Sequence, residues 1–467
     1  MSASTLPPAT PTYILRGHAT PIHALQIFNK NLRLVSGDAD GWIVVWDLIF
    51  KRSVAVWKAH EGAVLEVKGF TLGNGRLTEI FTHGRDHKLR VWRFRVQDEE
   101  ILSKTLPVEA GEGTTNQTQP WLIHSLPVNA LNFCAFSMLS LDTDKNTKSN
   151  TTPALETEET EDKGEIPPST ALIAVPNALD SGAIDLFHLP GERRICTIPT
   201  DPAVKTGMVM AVRLLTGGPS ASSSGDLYAA AAYEDGHVML FGCRGALAPE
   251  KIGLLSSGGT GPQDWNSNWK WEKLYASHPH SQPVLSIDVA PTAGGEYFLS
   301  SSADALLVRH PIPRFGGSAS GPLARASETT PSKTVHTKHA GQQGLRIRDD
   351  GKVFATAGWD SRVRVYSART MKELAVLKWH KEGCYCVAFA GVLLSSRGST
   401  TDGPVADDGQ QSRLPGGGGD EKRAVTRRDE KAYTLAQVQR QRSERVQNTH
   451  WLAAGSKDGK ISLWDIY

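Results

Sequence analysis

One short pattern recurs along the chain and constrains its fold more than any other feature: an Asp in a tight turn, then an aromatic or similar ring six residues later in an apolar strand. Clear copies occupy residues 36–47, 82–92 and 454–465. Their residue pairs are Asp40 and Trp46, Asp86 and Trp92, and Asp458 and Trp464. Weaker copies pair Asp235 with Phe241, Asp304 with His310, and Asp360 with Tyr366. A further copy at 179–187 fits if Ser181 takes the turn position, or Asp180 with one extra residue. The repetition indicates one supersecondary unit copied several times.

A second marker, a His shortly before an apolar strand, recurs upstream of these turns. The marker residues are His18, His60, His124, His280, His339 and His380, and the fourth unit has Lys205 instead. Each unit reads as strands separated by tight turns, and strands such as 42–46 are apolar on both faces. Because the two markers agree along the chain, they predict an all-β, seven-bladed WD40 β-propeller.

Within a blade, the loop His, a strand Ser or Thr, the turn Asp and the strand Trp are expected to form one buried hydrogen-bonded chain. Two units contain all four residue types: His18, Ser36, Asp40 and Trp46, then His60, Thr82, Asp86 and Trp92. A buried partner left unsatisfied would cost about 1–3 kcal/mol. These His and Asp residues are therefore interpreted as structural tetrads and not as catalytic groups.

The two ends of the chain predict how the ring closes. The last unit stops after its third strand, and an apolar segment, 11–15, precedes the first unit. Ile14 lies four residues before His18, as Val56 in the outer strand of the first blade lies four before His60. A single propeller over 11–467 is therefore expected, closed by the N-terminal strand, which leaves only short protected sheet edges.

Two turn-to-turn intervals, from Asp86 to Ser181 and from Asp360 to Asp458, are about double the ~40–45 residues of a WD40 unit. A hidden degenerate blade is rejected because neither interval has a second pair of markers. Residues 141–169 are rich in Thr, Glu, Asp and Lys, and residues 395–447 contain four consecutive glycines followed by dense charge. Both segments are predicted to be disordered insertions, in blades 3 and 7. Residues 431–446 are compatible with a short helix inside the second insertion.

Composition places the chain among soluble globular proteins, with 39% hydrophobic residues and a formal net charge of +2. That near-balance gives no electrostatic reason to expect direct binding of nucleic acid or of a membrane. The N-terminus lacks the features of a signal peptide, and no apolar run approaches membrane-spanning length. The expected compartment is the cytosol or the nucleus.

The five cysteines are too few and too scattered for a disulfide framework. Cys384 and Cys386 lie two apart in an apolar strand and are expected on the same face. They are interpreted as small core-filling residues and not as metal ligands.

No catalytic motif is found in the sequence. It has no phosphate-binding glycine loop, no Gly-x-Ser-x-Gly nucleophile elbow and no Cys/His cluster with zinc spacing. Residues 38–41 resemble the start of a calcium loop, but the twelfth position is Ile49 where the loop needs Glu. The sequence therefore predicts no enzymatic activity, no cofactor and no metal site.

The remaining function is recognition at the surface. The residue before each turn Asp is expected on the face that surrounds the central channel. These positions include Arg85, Glu234, Trp359 and Lys457. Trp and Arg dominate the energetics of protein interfaces, so Trp359 is a candidate anchor for a partner. Packing of Trp359 against the neighbouring blade is the equally open alternative.

Several segments go beyond the general repeat and resemble the ASTRA-associated protein 1 family of fungi. They are 13–25, 37–47, 57–62, 82–92, 307–311, 338–348 and 358–366. Two of them, Gly-Gln-Gln-Gly-Leu-Arg at 341–346 and Leu-Val-Arg-His-Pro at 307–311, are not required by the physics of a propeller. The family is also similar to the animal G-protein-β-subunit-like proteins. The resemblance covers all blades and fails only in the insertions.

This resemblance implies a non-catalytic scaffold subunit of the nuclear ASTRA complex. The complex is linked to chromatin remodelling and to the phosphatidylinositol-3-kinase-related kinases with their Tel2-type co-chaperones, which would be the partner proteins. Two alternatives remain: a reader of a histone tail or other peptide, with an acidic or aromatic cage at the channel, and a substrate receptor of a ubiquitin ligase.

Overall fold

A computed structural model describes residues 9–466 except 74, 110–117, 130–133, 142–168, 218–224, 257–268, 292–295, 316–328 and 394–433. The described part contains seven antiparallel sheets of four strands each, arranged as the blades of a propeller. The predicted fold class is therefore confirmed. No helix in these ranges is long and apolar enough to cross a membrane.

The first strand, β1 (Tyr13–Arg16), precedes the first complete blade. Blade 1 contains β2 (Ile22–Phe28), β3 (Arg33–Asp38), β4 (Trp42–Asp47) and β5 (Arg52–Lys58). Blade 2 contains β6 (Val64–Leu72), β7 (Leu77–Gly84), β8 (Lys88–Arg95) and β9 (Trp121–Pro127). Blade 3 contains β10 (Ser137–Ser140), β11 (Ala171–Pro176), β12 (Ile184–Leu189) and β13 (Arg193–Ile198).

Blade 4 contains β14 (Val209–Thr216), β15 (Leu227–Tyr233), β16 (Val238–Cys243) and β17 (Trp271–Ser277), with helix α1 (Pro249–Ser256) before its last strand. Blade 5 contains β18 (Val284–Val289), β19 (Tyr297–Ser302), β20 (Leu306–Pro311) and β21 (Lys333–His336). Blade 6 contains β22 (Gln342–Ile347), β23 (Val353–Gly358), β24 (Arg362–Ser367) and β25 (Glu373–Lys378).

Blade 7 joins the two ends of the chain. It contains β26 (Cys384–Phe389), β27 (Trp451–Ser456) and β28 (Lys460–Asp465), and β1 supplies its outer strand. The register pairs Tyr13 with Leu463 and Arg16 with Lys460. The predicted closure by the N-terminal strand is therefore confirmed.

The hydrophobic core is divided among the gaps between blades, because each sheet has two apolar faces. Seven buried clusters are present, and each joins two consecutive blades around the ring. The cluster at the closure contains Leu15 of β1, Trp46 of blade 1 and Trp451 of blade 7. Side chains on both faces of a middle strand are therefore buried, as in β4, where Ile43 to Trp46 are all buried.

The tight turn that carries the repeat needs a left-handed residue directly after the Asp. Gly41 (φ +88°), Gly236 (φ +100°) and Gly459 (φ +72°) fill this position in three blades. A Cβ on Gly41 would lie 1.9 Å from the carbonyl oxygen of His60, so the turn also packs closely on the next loop. Glycine serves both needs at once.

The five cysteines are all buried and none forms a disulfide, and burial raises the pKa of Cys134 and of Cys384 to about 12. Cys384 contributes to the cluster between blades 6 and 7, whereas Cys386 contributes to the cluster between blades 7 and 1. The expectation that they share a face is wrong, because a β-bulge between them inserts one residue into the alternation.

The second long insertion ends in a helix. Residues 142–168 of the first predicted insertion, and 395–433 of the second, lie outside the described residues. Helix α2 (Leu435–Asn448) begins with a capping box between Thr434 and Gln437. The predicted boundary of 447 for the disordered insertion is thus wrong, because Val446 is buried against the closure cluster. The sequence signal was weak because the other residues of α2 are largely exposed.

A buried asparagine attaches α2 to the ring. Asn31, 3% exposed, lies in the turn between β2 and β3 with φ +67°. Its Nδ2 donates to the carbonyls of Gly391 at 2.7 Å and of Gln447 at 2.9 Å, and its Oδ1 accepts from the amide of Gly391 at 2.8 Å. One side chain therefore connects blade 1 to both ends of the second insertion.

Replacement of Asn31 by Ala should lower the free energy of unfolding by about 1–3 kcal/mol, because buried backbone groups lose their partners. Thermal unfolding of the full chain would measure this. Lys30→Ala is the matched control, since exposed Lys30 has a similar backbone conformation (φ +49°) in the same turn. Equal unfolding temperatures for the two variants would contradict the assigned role of Asn31.

Candidate interaction face around the central channel

The polar chain of blade 2 brings together the four residues that the sequence grouped. His60 Nδ1 lies 2.8 Å from Asp86 Oδ1, and His60 Nε2 lies 2.8 Å from Thr82 Oγ1. The indole of Trp92 donates to the same Thr82 hydroxyl at 3.1 Å. Burial lowers the pKa of His60, more than Asp86 raises it. Both imidazole nitrogens are occupied, so this His acts as a structural bridge.

In blade 1 the carboxylate of the chain comes from Asp38 and not from the predicted Asp40. His18 Nδ1 lies 2.7 Å from Asp38 Oδ2, its Nε2 lies 2.7 Å from Ser36 Oγ, and Trp46 donates to Ser36 at 2.9 Å. Asp38 is fully buried at the end of β3, whereas Asp40 is exposed. The other oxygen of Asp38 accepts the amides of Asp40 and Trp42, each at 3.0 Å. The repeat aligns Asp40 with Asp86, so the sequence comparison selected Asp40. The turn also carries an Asp two residues earlier, and this residue, Asp38, binds His18.

Other blades satisfy the same buried groups with different residues. In blade 5, His280 binds Asp304 and Ser300, and His310 replaces the Trp, with Nε2 2.8 Å from Ser300 Oγ. In blade 7, the hydroxyl is that of Ser462, which lies on β28 and binds both His380 and Trp464. In blade 6, Gln342 accepts from Thr356 at 2.7 Å, and His339 is left half-buried.

The His marker fails in one further blade. His124 lies inside β9, the outer strand of blade 2, and its Nδ1 contacts Glu192 at 2.6 Å. It is not the loop His of blade 3. The residue of blade 3 that is equivalent to His60 is Asn129. The residue before each makes the same backbone hydrogen bond to the preceding turn: Ala59 donates to Gly41, and Val128 donates to His87.

The revised assignment in blade 1 can be tested with two neighbouring carboxylates. Asp38→Ala should destabilise the protein by about 1–3 kcal/mol, because His18 and two backbone amides lose their acceptor. Asp40→Ala should change stability by no more than about 0.5 kcal/mol, as is usual for surface substitutions. Denaturant unfolding of both variants would measure this. A larger loss of unfolding free energy in Asp40→Ala than in Asp38→Ala would contradict the revised assignment and support the predicted tetrad.

The four predicted partner-binding residues occupy equivalent positions on one face of the ring. In each case the backbone amide donates to a carbonyl in the loop just before the innermost strand of its blade. The bonds are Arg85 to Ala63, Glu234 to Met208, Trp359 to Gly341, and Lys457 to Gly383. All four side chains are exposed. Arg85, Trp359 and Lys457 lie in blades 2, 6 and 7, whereas Glu234 lies in blade 4.

A second ring of residues lies inside the first, at the mouth of the channel. Six innermost strands carry a β-bulge close to their first residue. The bulged residues line one cavity, and they are His23, Leu65, Met210, Leu285, Gln343 and Tyr385. A bulge re-aims a side chain that would otherwise follow the alternation of the strand, and here it directs one residue per blade into the channel.

Aromatic groups concentrate where blades 6, 7 and 1 meet. The Trp359 indole is 49% exposed and donates to Gln343 Oε1 at 2.7 Å. Gly341 lies under the indole, and a Cβ there would be 2.2 Å from the Trp359 ring. Tyr385 stacks on His23 with ring centroids 5.3 Å apart and an interplanar angle of 1°. We call Trp359, Gln343, Tyr385 and His23 the aromatic arc. The indole therefore packs on Gly341 and Gln343 of its own blade.

Buried charges cross the channel below the arc. Glu66 of blade 2 accepts from Arg346 of blade 6 at 2.8 Å, and Lys68 lies 3.8 Å from the same carboxylate. Arg213 contacts Asp288 at 3.4 Å. Burial lowers the pKa of Lys68 to about 8, although Glu66 acts against it. Burial tends to raise the pKa of Glu66, but Lys68 and Arg346 outweigh it and lower the value.

Sequence reasoning identified Trp359 but missed His23, Gln343 and Tyr385. Their shared position, directly after the first residue of an innermost strand, could have been found from the repeat. Their direction into the channel could not be predicted, because strand alternation does not reveal a bulge.

The repeat and the full chain both match known proteins. A family profile described as WD domain, G-beta repeat matches residues 9–47, 331–367 and 446–465. A protein of Aspergillus niger named ASTRA-associated protein 1 is 61% identical over 99% of this chain and 98% of its own length. The protein of that name from Aspergillus flavus is 59% identical, over 99% of this chain and 98% of the relative. The one from Schizosaccharomyces pombe is 32% identical, over 81% of this chain and 93% of the relative.

Proposed function

The chain belongs to the ASTRA-associated protein 1 family of WD-repeat proteins, and on that premise we propose that it is a non-catalytic scaffold subunit of the nuclear ASTRA complex. In this role it holds other protein subunits of an assembly linked to chromatin remodelling and to phosphatidylinositol-3-kinase-related kinases. The direct partners are these kinase-related proteins or their co-chaperones, and the compartment is the nucleus.

The observation that carries this proposal is the aromatic arc. A half-exposed indole is fixed in one orientation by the hydrogen bond to Gln343 and by the close contact with Gly341. A side chain that is already ordered loses little entropy on binding. Arg85 and Lys457 provide exposed cations on the same face, and Trp, Tyr and Arg are the residue types enriched in interface hot spots.

The chemistry of the channel favours a scaffold over a reader of cationic peptides. A modified lysine would need an unpaired carboxylate or an open aromatic cage. Among the described residues of the channel wall, Glu66 is paired with Arg346 and Asp288 with Arg213. The Tyr385 and His23 rings face each other, so their stacked faces are not open to a cation.

The polar chains also favour a non-catalytic role. Asp38 accepts a hydrogen bond from His18, and Asp86 accepts one from His60. Both carboxylates are thus used within their own blades. Burial acts to raise the pKa of Asp86, but the His60 hydrogen bond and the Arg90 charge hold it well below its usual range. Such a carboxylate stays ionised and does not exchange protons near neutral pH.

Trp359→Ala should remove binding partners without unfolding the ring. The tagged full chain and the variant would be purified from nuclear extract and their co-purifying proteins quantified by mass spectrometry. We expect wild type to recover a stoichiometric set with a giant kinase-related protein and its co-chaperones. Loss of at least tenfold in the variant corresponds to about 1.4 kcal/mol or more, which is ordinary for a hot spot.

Trp121→Ala is the matched control, because Trp121 is also an exposed Trp, 75% accessible, but lies on the outer strand β9. It should retain the partners. Equal losses in both variants would place the interface elsewhere. Recovery of histones or of ubiquitin-ligase components alone would contradict the scaffold role and support an alternative.

A further inference from the structure

Blade 4 departs from the other blades at its turn. The loop His is replaced by Lys205, so the turn carboxylate of Asp235 has no His from that loop to bind. The carboxylate instead contacts a His two residues later in the sequence, and Asp235 Oδ2 lies 2.6 Å from His237 Nδ1. Asp235 Oδ1 accepts the backbone amide of His237 at 3.0 Å. The Asp235 carboxylate therefore bonds to His237, which directly precedes β16 in its own turn, and remains partly exposed.

A second imidazole joins this pair from a distant part of the sequence. His278 lies in the loop after β17, and its ring stacks on that of His237 with centroids 4.2 Å apart and an interplanar angle of 5°. Its Nε2 lies 2.8 Å from the carbonyl oxygen of Asp235. Donor atoms from Asp235, His237 and His278 all lie within 4.8 Å of one another.

From this geometry we propose that Asp235, His237 and His278 form a binding site for a divalent transition-metal ion such as Zn²⁺. Two imidazoles and one carboxylate are a donor set that suits zinc and its neighbours in the first transition row. Metal–ligand bonds are about 2.0–2.2 Å long, so the stacked imidazoles must rotate about their side-chain bonds for both lone pairs to reach one ion. On binding, each neutral imidazole offers the lone pair of its ligating nitrogen and carries its ring proton on the other nitrogen, so the hydrogen bonds to Asp235 are exchanged for metal bonds.

The surroundings favour a cation at this position. Exposed Glu234 precedes Asp235 in the same turn. The pKa of Asp201 is lowered, mainly by hydrogen bonds from Lys273 and Ala203 and in smaller part by the charge of His237. Lys273 is paired with that Asp201 carboxylate. The partial exposure of the three ligands leaves the remaining coordination position to water or to a side chain of a bound protein.

The site differs from the His–Asp pairs of the polar chains. In blades 1, 2 and 5 a single buried imidazole bridges a carboxylate and a hydroxyl, so both ring nitrogens have a structural partner. In blade 4 two imidazoles share one carboxylate near the surface. These residues show no zinc-type spacing along the chain because the third ligand comes from the loop after β17. The inference does not depend on the proposed scaffold function.

The test is zinc binding by the purified full chain, measured by competition with a chromophoric chelator. We expect one tight equivalent in wild type and at least about tenfold weaker binding in His237→Ala and in His278→Ala, because even the loss of an outer-shell partner typically costs about 10- to 100-fold. His336→Ala, which removes an exposed His of β21, is the control and should bind zinc as wild type does.

A second readout separates binding from misfolding. Zinc should raise the unfolding temperature of wild type and of His336→Ala, since a ligand that binds only the folded state stabilises it. It should leave His278→Ala unchanged, and exposed His278 can be removed with little effect on the zinc-free protein. Absence of a tight equivalent in wild type, or zinc affinity equal to that of wild type in the His237 and His278 variants, would overturn the proposal.

Discussion

Every blade of this propeller depends on burial of both faces of its sheet, and the ring must close for that burial to be complete. A four-stranded sheet with two apolar faces is not stable alone, because each face must be buried against an apolar neighbour. The seven clusters between blades provide these neighbours. The pairing of β1 with β28 completes the last sheet and places Leu15 in the cluster between blades 7 and 1. The closure gives blade 7 its strand order, with β1 outermost. It also creates the cluster on which Val446 of α2 packs.

Once the ring is closed, the ends of the middle strands bury polar groups that need partners. The same requirement is met by Ser36 on the second strand of blade 1 and by Ser462 on the third strand of blade 7. His310 takes the place of a Trp in blade 5. In these three blades an indole or imidazole nitrogen meets a serine hydroxyl, and both the ring and the strand that carries the serine vary. This variation explains why the repeat is strong in some blades and weak in others.

The segment 341–346 shows how a local run of residues serves several long-range contacts. Gly341 allows the Trp359 ring to approach, and Gln343 fixes its indole. Gln342 accepts from Thr356, as the loop His does for the hydroxyl in other blades. Arg346 reaches across the channel to Glu66. A run that a propeller does not require in general is thus explained by the aromatic arc and by the charges beneath it.

The sequence by itself determined the blade count and the closing strand, because both depend on the spacing of the repeats along the chain. It also determined the tetrad of blade 2, because all four residues lie within one repeat. It also located Trp359 and the other residues that precede the turn Asp on one face. It selected Asp40, which lies six residues before Trp46, whereas burial against His18 identifies Asp38 as the carboxylate of the chain.

Only the tertiary structure decided which side chains meet across units. The bulges that direct His23 and Tyr385 into the channel, and that place Cys384 and Cys386 on opposite faces, interrupt the alternation on which sequence reasoning relies. Docking of α2 through Asn31, and the meeting of His237 with His278, join residues that the order of the chain keeps apart. Local patterns fix what each unit buries, whereas contacts between loops depend on how the closed ring positions them.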